Sequence, residues 1–272
     1  MATPTRHRAL PQGYPKLLQP PAATALHTSD EGLEAGGVWI PVHDGEIPAY
    51  RAMPARGGAL PILLVVQEVF GVDEYLQDVC RRAARAGFVA IAPELCARHG
   101  APGEAASREE LFKIVFSTPD AEVLADLDAC VRWAADSGCG DAKRTAITGF
   151  CWGGRIVWLY ASHRADLRAG VAWYGRLTAE TDSKHPRHPL DVAGSLHAPV
   201  LGLYGSADEG IPLDGVEAMK KKLAEAHSPS EFIVYDGAPH AFHADYRPSY
   251  RADVAADGWE RMLAWFRTHV RI

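Results

Sequence analysis

The chain has 272 residues, 47% of them hydrophobic, which is enough apolar material for one large globular domain. Its formal net charge is −6, and no cluster of Lys and Arg residues is interleaved with aromatics, so a nucleic-acid partner is not expected. No apolar run approaches the roughly eighteen residues that a membrane span requires, so no membrane partner is expected either.

The N-terminus and the cysteine count predict a cytoplasmic protein. Residues 1–25 contain five prolines and no continuous apolar segment, unlike a secretory signal. Five cysteines, an odd number without paired spacing, fit a reducing compartment better than a disulfide framework. No Cys-x-x-Cys or His-Glu-x-x-His pattern indicates a metal site, and no cofactor is expected.

The chain begins with a segment that differs from the rest. Residues 1–35 are rich in Pro, Ala and Thr without periodicity, which predicts an extended or partly disordered arm. Residues 36–272 are then expected to form a single domain. Its first elements are apolar runs at 38–42 and 47–52 that flank a His-Asp-Gly turn, so they predict an antiparallel hairpin.

Apolar runs and helical patterns alternate through the remainder of the chain. The run at 61–66 predicts a buried central strand, and the others predict strands at 88–92, 145–148, 170–174, 200–204 and 231–235. Helical spacing predicts helices between Asp73 and Gly87 and at 104–116, 120–136, 156–161, 214–226 and 249–269. This alternation predicts a doubly wound, mostly parallel α/β sheet with helices on both faces, where ligands bind at the carboxyl ends of the strands.

One segment, Thr145 to Arg155, has the pattern strand, sharp turn, helix. Gly149 and Gly153 stand two residues before and after Cys151, where a tight turn leaves little room for side chains. The free N–H groups at the start of the following helix stabilise a thiolate and an oxyanion. We therefore interpret Cys151 as a nucleophile for acyl transfer. Three other cysteines are interpreted as buried structural residues: Cys80, Cys130 and Cys139.

Two later loops carry the partners that a nucleophilic cysteine needs. Asp208 follows one predicted strand and His240 follows the next. The chain order of nucleophile, acid and base is that of the α/β-hydrolase arrangement. His240 would exchange protons with the thiol, and Asp208 would orient the imidazole ring. Glu209 and His243 are rivals for these two roles, but they lie farther from the ends of their strands.

Four segments of the chain combine into a recognisable set: Gln67-Glu68-Val69-Phe70-Gly71, Pro93-Glu94-Leu95-Cys96-Ala97-Arg98, Gly149-Phe150-Cys151-Trp152-Gly153-Gly154 and His240-Ala241-Phe242-His243. In this order, over residues 37–270, they resemble the signature segments of the dienelactone hydrolase family (carboxymethylenebutenolidases), which has the α/β-hydrolase fold. The Gly-x-Cys-x-Gly-Gly turn together with the upstream Gln-Glu-x-Phe-Gly is far more specific to this family than such a turn alone.

The resemblance implies roles for four further residues. Glu68 matches the glutamate that pairs with the resting thiol and takes its proton when an anionic substrate arrives. Val69 and Trp152 match the residues whose backbone N–H groups form the oxyanion hole. Arg98 matches an arginine that binds the substrate carboxylate.

The sequence also departs from the family pattern. Dienelactone hydrolases carry His-Ser-Phe-Ala-Arg, whose arginine is a second carboxylate anchor, whereas this chain has Ala241 and Ala244 at the Ser and Arg positions. A tyrosine of the second segment is replaced by Cys96. Arg247 lies three residues after the missing anchor, and the sequence alone does not make it a substitute.

These features predict a cofactor-independent hydrolase of small carboxylic esters or lactones that forms an acyl-enzyme on Cys151. A broad esterase or thioesterase that does not use dienelactone is an alternative, favoured by Ala241 and Ala244. A thiol redox sensor, in which Cys151 is oxidised, is another alternative. The absence of a neighbouring resolving cysteine in the sequence argues against the sensor.

Overall fold

In the computed structural model, which describes residues 5–272, eight strands alternate with helices. The strands are β1 (Leu33–Val42), β2 (Gly45–Pro54), β3 (Leu60–Val66), β4 (Val89–Pro93), β5 (Gly140–Phe150), β6 (Ala169–Trp173), β7 (Val200–Gly205) and β8 (Glu231–Tyr235). The helices are α1 (Glu74–Arg85), α2 (Arg108–Ser117), α3 (Asp120–Asp136), α4 (Trp152–His163), α5 (Pro189–Val192), α6 (Leu213–Glu225) and α7 (Ala252–Val270).

All eight strands belong to one sheet, in the order β1-β2-β4-β3-β5-β6-β7-β8. The β1–β2 hairpin and the β2–β4 pair are antiparallel. Every other neighbouring pair is parallel. The predicted doubly wound α/β-hydrolase fold and its opening hairpin are therefore confirmed, and the loops after β3, β5, β7 and β8 leave the sheet at one edge.

Strands β3, β4 and β6 are apolar throughout because helices cover both faces of the sheet. Residues 62–66 of β3 and all of β4 are buried, as are the apolar positions of β6. Asp73 caps α1 as predicted, since its carboxylate accepts a hydrogen bond from the Leu76 N–H at 3.1 Å. Gly87, which follows α1, has the positive φ of 98° that favours glycine after a helix.

Two predicted helices begin later than the periodicity indicated. The helix expected from residue 104 starts at Arg108, because the Ser107 side chain caps it by accepting the Glu110 N–H at 3.1 Å. The last helix was expected from residue 249 and starts at Ala252, because the preceding Arg251 N–H donates to the carbonyl of Phe242 instead. Apolar periodicity shows which face is buried, but local hydrogen bonds decide where the helix starts.

Residues 5–32 precede β1 and lie against the domain. The Ala22 N–H donates to the Tyr246 carbonyl at 2.8 Å, and the Tyr14 ring stacks on the Tyr246 ring with centroids 5.1 Å apart. The Glu74 N–H, at the start of α1, donates to the Gly13 carbonyl at 3.0 Å. Residues 1–4 of the predicted arm lie outside the described residues, and its last residues, from Leu33, belong to β1.

Candidate active site

Cys151 lies on a sharp turn between β5 and α4. Its backbone has φ 54° and ψ −112°, a conformation that costs energy for a residue with a side chain, and its N–H donates to the Trp173 carbonyl at 3.0 Å. A side chain at Gly149 would collide with the Gly153 carbonyl, and one at Gly153 would collide with the Val66 carbonyl. The two glycines therefore let β3, the turn and α4 approach closely enough to hold Cys151 in this strained conformation.

Asp208 and His240 form a short hydrogen bond in the loops after β7 and β8. His240 Nδ1 lies 2.6 Å from Asp208 Oδ2, and the Asp208 side chain is only 1% exposed. The other carboxylate oxygen accepts the Gly210 N–H at 2.9 Å, so the carboxylate is held from both sides. This arrangement assigns the imidazole proton to Nδ1 and leaves Nε2 as the nitrogen for proton exchange.

The surroundings of His240 favour its protonated form. Burial lowers the pKa of His240, but the hydrogen bond to Asp208 and the nearby Cys151 sulfur outweigh burial and raise the pKa to about 10. The edge of the Tyr174 ring packs against the imidazole, with ring centroids 5.2 Å apart. The thiol, the imidazole and the carboxylate are thus consecutive neighbours, as a nucleophile, base and orienting acid would be.

The two rival residues have other surroundings. Glu209 is exposed and has no side-chain hydrogen bond among residues 5–272. His243 is buried among aromatic rings, and its Nδ1 lies 2.7 Å from the Tyr75 hydroxyl. Burial lowers the pKa of His243 well below its ordinary value, so it is a neutral residue of the core.

Glu68 lies in the loop that follows β3. Its side chain is 3% exposed, and Oε2 accepts a hydrogen bond from the Tyr246 hydroxyl at 3.2 Å. Oε1 has no hydrogen-bond partner within residues 5–272, although Arg247 Nη1 lies 3.7 Å away. A buried carboxylate oxygen without a partner carries a desolvation cost. Such an oxygen is typical of sites that bind a ligand or take up a proton.

Val69 and Trp152 carry the backbone amides that the family resemblance assigns to an oxyanion hole. Neither N–H donates a hydrogen bond to another group in the described part of the chain. Trp152 is the first residue of α4, where an N–H has no partner within the helix. A helix N-terminus favours negative charge, so an oxyanion beside Trp152 would be stabilised.

Glu94 supports the Glu68 loop and was not expected from the sequence to have this role. Its buried carboxylate accepts the Val72 N–H at 2.8 Å, and a side chain at Gly71 would collide with it. Burial raises the pKa of Glu94 to about 7, although hydrogen bonds from the Val72 and Cys96 backbone and the Gln67 side chain oppose the shift. The position directly after β4 was the available signal, but an acidic residue there does not reveal which loop it holds.

Arg98 lies in a cluster of carboxylates. Its guanidinium makes paired contacts with Asp44, at 2.7 to 3.0 Å, and with Asp126, at 2.6 to 3.1 Å. Glu122 lies 3.6 Å away, and the Arg98 side chain is only 7% exposed. All three guanidinium nitrogens are therefore engaged. The predicted role in substrate binding stays a prediction, and these contacts count against it.

Two tyrosines complete the site and were missed in the sequence. Tyr174 directly follows β6, has a positive φ of 38°, and carries a buried hydroxyl without a partner among residues 5–272. The rule that functional residues follow strand ends could have indicated it. Tyr246 contacts Glu68, but its position in an irregular segment after His243 gave no such signal.

No helix of residues 5–272 is long and apolar enough to cross a membrane. Within the same residues, no group of three or more His, Cys, Asp or Glu side chains is arranged to hold a metal ion.

Residues 47–270 match the model of a protein family described as "Dienelactone hydrolase family". A Methylorubrum extorquens protein named "Putative carboxymethylenebutenolidase" is 52% identical over 263 residues, which cover 96% of this chain and 90% of that protein. A Salmonella typhimurium protein of the same name is 51% identical over 258 residues, covering 94% and 95% respectively. A crystal structure described as "Putative Dienelactone Hydrolase" from Klebsiella pneumoniae is 54% identical, covers 87% of this chain and 99% of its own, and superposes with a TM-score of 0.85.

Proposed function

The chain belongs to the dienelactone hydrolase family, and from this membership we propose that it hydrolyses carboxylic esters or lactones through an acyl-enzyme on Cys151. The observation that carries the proposal is the 2.6 Å hydrogen bond between His240 and Asp208, next to a cysteine held at a strained turn. Family membership alone would not distinguish an active hydrolase from one that has lost its catalytic residues.

In the first half of the proposed reaction, the Cys151 thiolate attacks the acyl carbon and forms a carbon–sulfur bond. The carbonyl oxygen becomes an oxyanion that accepts hydrogen bonds from the Val69 and Trp152 amides. The carbon–oxygen bond to the leaving group then breaks, and protonated His240 donates its proton to the departing oxygen. In a lactone the leaving oxygen stays attached to the acyl group.

In the second half, water resolves the thioester. His240, now neutral, accepts a proton from water, whose oxygen attacks the acyl carbon. The carbon–sulfur bond breaks, a carboxylic acid leaves, and the thiolate and the imidazolium are restored. Asp208 stays ionised throughout and stabilises the imidazolium.

Glu68 is proposed to act on the thiol before the reaction, as the glutamate at this position does in the family. Its unpartnered Oε1 supports this role, because that oxygen has capacity for one more donor. A thiol turned toward Glu68 would donate to this oxygen and pass its proton to it when an anionic substrate arrives, and the resulting thiolate would then face protonated His240.

Acyl trapping tests the proposal. His240→Asn should slow the second half of the reaction, so a 4-nitrophenyl ester should leave an acyl group on Cys151 that peptide mass spectrometry can locate. The variant Cys151→Ala should show neither adduct nor turnover. Hydrolysis that persists in Cys151→Ala would refute the proposed nucleophile.

Peptide mass spectrometry of Cys151 also separates the hydrolase from the thiol sensor, once a peroxide-treated sample is compared with the ester-treated one. A sensor would accumulate sulfenic or sulfinic acid at Cys151 after peroxide treatment and no acyl adduct after ester treatment. The other four cysteines are buried and none of the five forms a disulfide, so no resolving partner lies beside Cys151. A broad esterase without dienelactone activity remains the second candidate, because Ala244 supplies no charge where the family has an arginine.

A further inference from the structure

Arg247 differs from Arg98 in what its guanidinium contacts. Arg98 is held by two carboxylates, whereas the Arg247 guanidinium makes no hydrogen bond to any residue from 5 to 272. Its one charged neighbour is Glu68, whose Oε1 lies 3.7 Å from Nη1, beyond hydrogen-bond distance. Its donors are therefore available to another acceptor.

The position of Arg247 is nevertheless fixed. Its guanidinium lies over the Phe70 ring, 5.7 Å from the centroid, and its side chain is 23% exposed. The preceding residue, Tyr246, is held by the hydrogen bond from Ala22 and by stacking on Tyr14. A cation that is anchored by its neighbours and open to solvent has the character of a ligand contact.

The charges around Arg247 belong to the catalytic site. Burial lowers the pKa of Arg247, but Glu68, Tyr246, Tyr174 and Cys151 together outweigh burial and raise it, so the guanidinium stays charged. An incoming anion would meet one arginine and one carboxylate here. Beside Arg98 it would meet three carboxylates, since Asp44, Glu122 and Asp126 surround that guanidinium.

We propose that Arg247 is the residue that selects substrates with an anionic group near the scissile bond, and that Arg98 is an ion-pair residue of the fold. This inference rests on the proposed function, and it assigns to a residue outside the family's motifs the contact with a substrate carboxylate that the family resemblance gives to Arg98. The anion would accept hydrogen bonds from the free edge of the guanidinium while its acyl carbon faces Cys151. The chain would thus bind a carboxylate without an arginine at position 244.

Alkylation of Cys151 tests the inference without any ester. Iodoacetate and iodoacetamide both form a carbon–sulfur bond with the thiolate and release iodide, but only iodoacetate is an anion. The ratio of their rate constants at Cys151, measured by peptide mass spectrometry, therefore reports local attraction of an anion. We expect Arg247→Gln to lower this ratio about tenfold, the effect of losing one charge-assisted hydrogen bond.

Two further variants make the result specific. Arg251→Gln removes an exposed arginine of the same segment that pairs with Asp253, and it should leave the ratio unchanged. Arg247→Lys keeps the charge but loses the planar pair of donors, so it should recover part of the ratio. Thermal unfolding of each variant identifies any effect that comes from loss of the fold. An unchanged ratio in Arg247→Gln would overturn the inference, as would an equal loss in Arg251→Gln.

A pair of esters then connects the contact to catalysis. The mono-4-nitrophenyl ester of glutarate carries a carboxylate, and 4-nitrophenyl butyrate is a neutral ester of similar length. Arg247→Gln should lower kcat/KM for the glutarate ester about tenfold and change that for the butyrate less than twofold. If the wild type hydrolyses neither ester, the proposed function fails, while the alkylation ratio still decides the role of Arg247. If Arg98→Lys lowers the ratio and Arg247→Gln does not, the inference is wrong and the family's anchor is in use.

Discussion

Asp208→Asn is predicted to move the proton of the neutral His240 ring from Nδ1 to Nε2 while leaving the ring in place. The Asp208 carboxylate contacts two donors, the Gly210 N–H through Oδ1 and His240 Nδ1 through Oδ2. In the variant, the amide oxygen must stay with the Gly210 N–H, because an NH₂ group there would face another donor. The NH₂ group then faces His240 Nδ1, which becomes an acceptor, and the imidazole proton moves to Nε2. A neutral imidazole protonated at Nε2 cannot accept a proton from the thiol or from water.

The expected magnitude follows from these contacts. Replacing a carboxylate by an amide removes a charge-assisted hydrogen bond to the imidazolium, about 1.5 to 3 kcal/mol or roughly 10- to 150-fold in rate. In serine-histidine-aspartate triads, where the wrong tautomer adds to this loss, the same substitution lowers kcat about 10⁴-fold. Because a thiol is more acidic than a serine hydroxyl, we expect a smaller loss here, about 10³-fold in kcat.

Turnover of a 4-nitrophenyl ester, followed at saturating substrate from pH 6 to 9, measures this loss. Glu209→Gln is the matched control, since Glu209 is the adjacent carboxylate and is exposed. Its kcat should stay within twofold of the wild type. A loss of less than tenfold in Asp208→Asn, with thermal stability retained, would refute the assigned role of Asp208.

Further predictions concern charge and packing around the site. The pKa of His240, measured by NMR, should lie well above 6.5 and near the value of about 10. It should fall in Cys151→Ala, because that substitution removes one of the groups that raise it. The contacts that raise the pKa of His240 stabilise the fold fully below about pH 6.5, and this contribution is lost as the pH rises toward 10. The free energy of unfolding should therefore decline more steeply over that range in the wild type than in His240→Gln. Glu94 has its pKa raised from 4.5 to about 7, so its protonated form is favoured in the fold and stability falls as the pH rises through that interval. Glu94→Gln, which mimics that form, should raise the free energy of unfolding in urea by roughly 2 to 3 kcal/mol at pH 8 and by little at pH 4.5; equal effects at the two pH values would contradict the assignment. Gly153→Ala should destabilise the protein by more than about 3 kcal/mol, because the methyl group of the alanine would collide with the Val66 carbonyl. A melting temperature within a few degrees of the wild type would show that the turn can relax.

The sheet was predictable because most of its strands are short apolar runs that alternate with helical patterns along the chain. Continuous apolar runs predicted six strands that the structure confirms, and the loop between the β5 strand and the α4 helix was recognisable from Gly149 and Gly153. The family resemblance drawn from four short segments is confirmed over residues 47–270. These features are local in sequence, since each depends on a period or on a spacing of a few residues.

Roles that depend on long-range packing could not be predicted in the same way. Arg98 matches a family position, but its guanidinium is engaged by Asp44, 54 residues earlier, and by Asp126, 28 residues later. Neither partner is near Arg98 in the sequence. Conversely, Arg247 occupies no family position, and only folding brings it 3.7 Å from Glu68. A match between motifs identifies a position, whereas the function of a charged residue depends on which neighbours leave its donors free.

The segment that contains Tyr246 links the candidate active site to residues outside the matched family region. Tyr246 donates to Glu68, and it is itself held by Ala22 and Tyr14, which precede residue 47. Tyr14→Ala should therefore lower kcat/KM about three- to tenfold through Tyr246, since a lost aromatic stack is worth roughly 0.5 to 1.5 kcal/mol. In a Tyr246→Phe background, where the hydroxyl that contacts Glu68 is absent, the same substitution should have much less effect on kcat/KM. Independent losses that simply multiply in the double variant would instead mean that the N-terminal residues stabilise the fold without acting on Glu68.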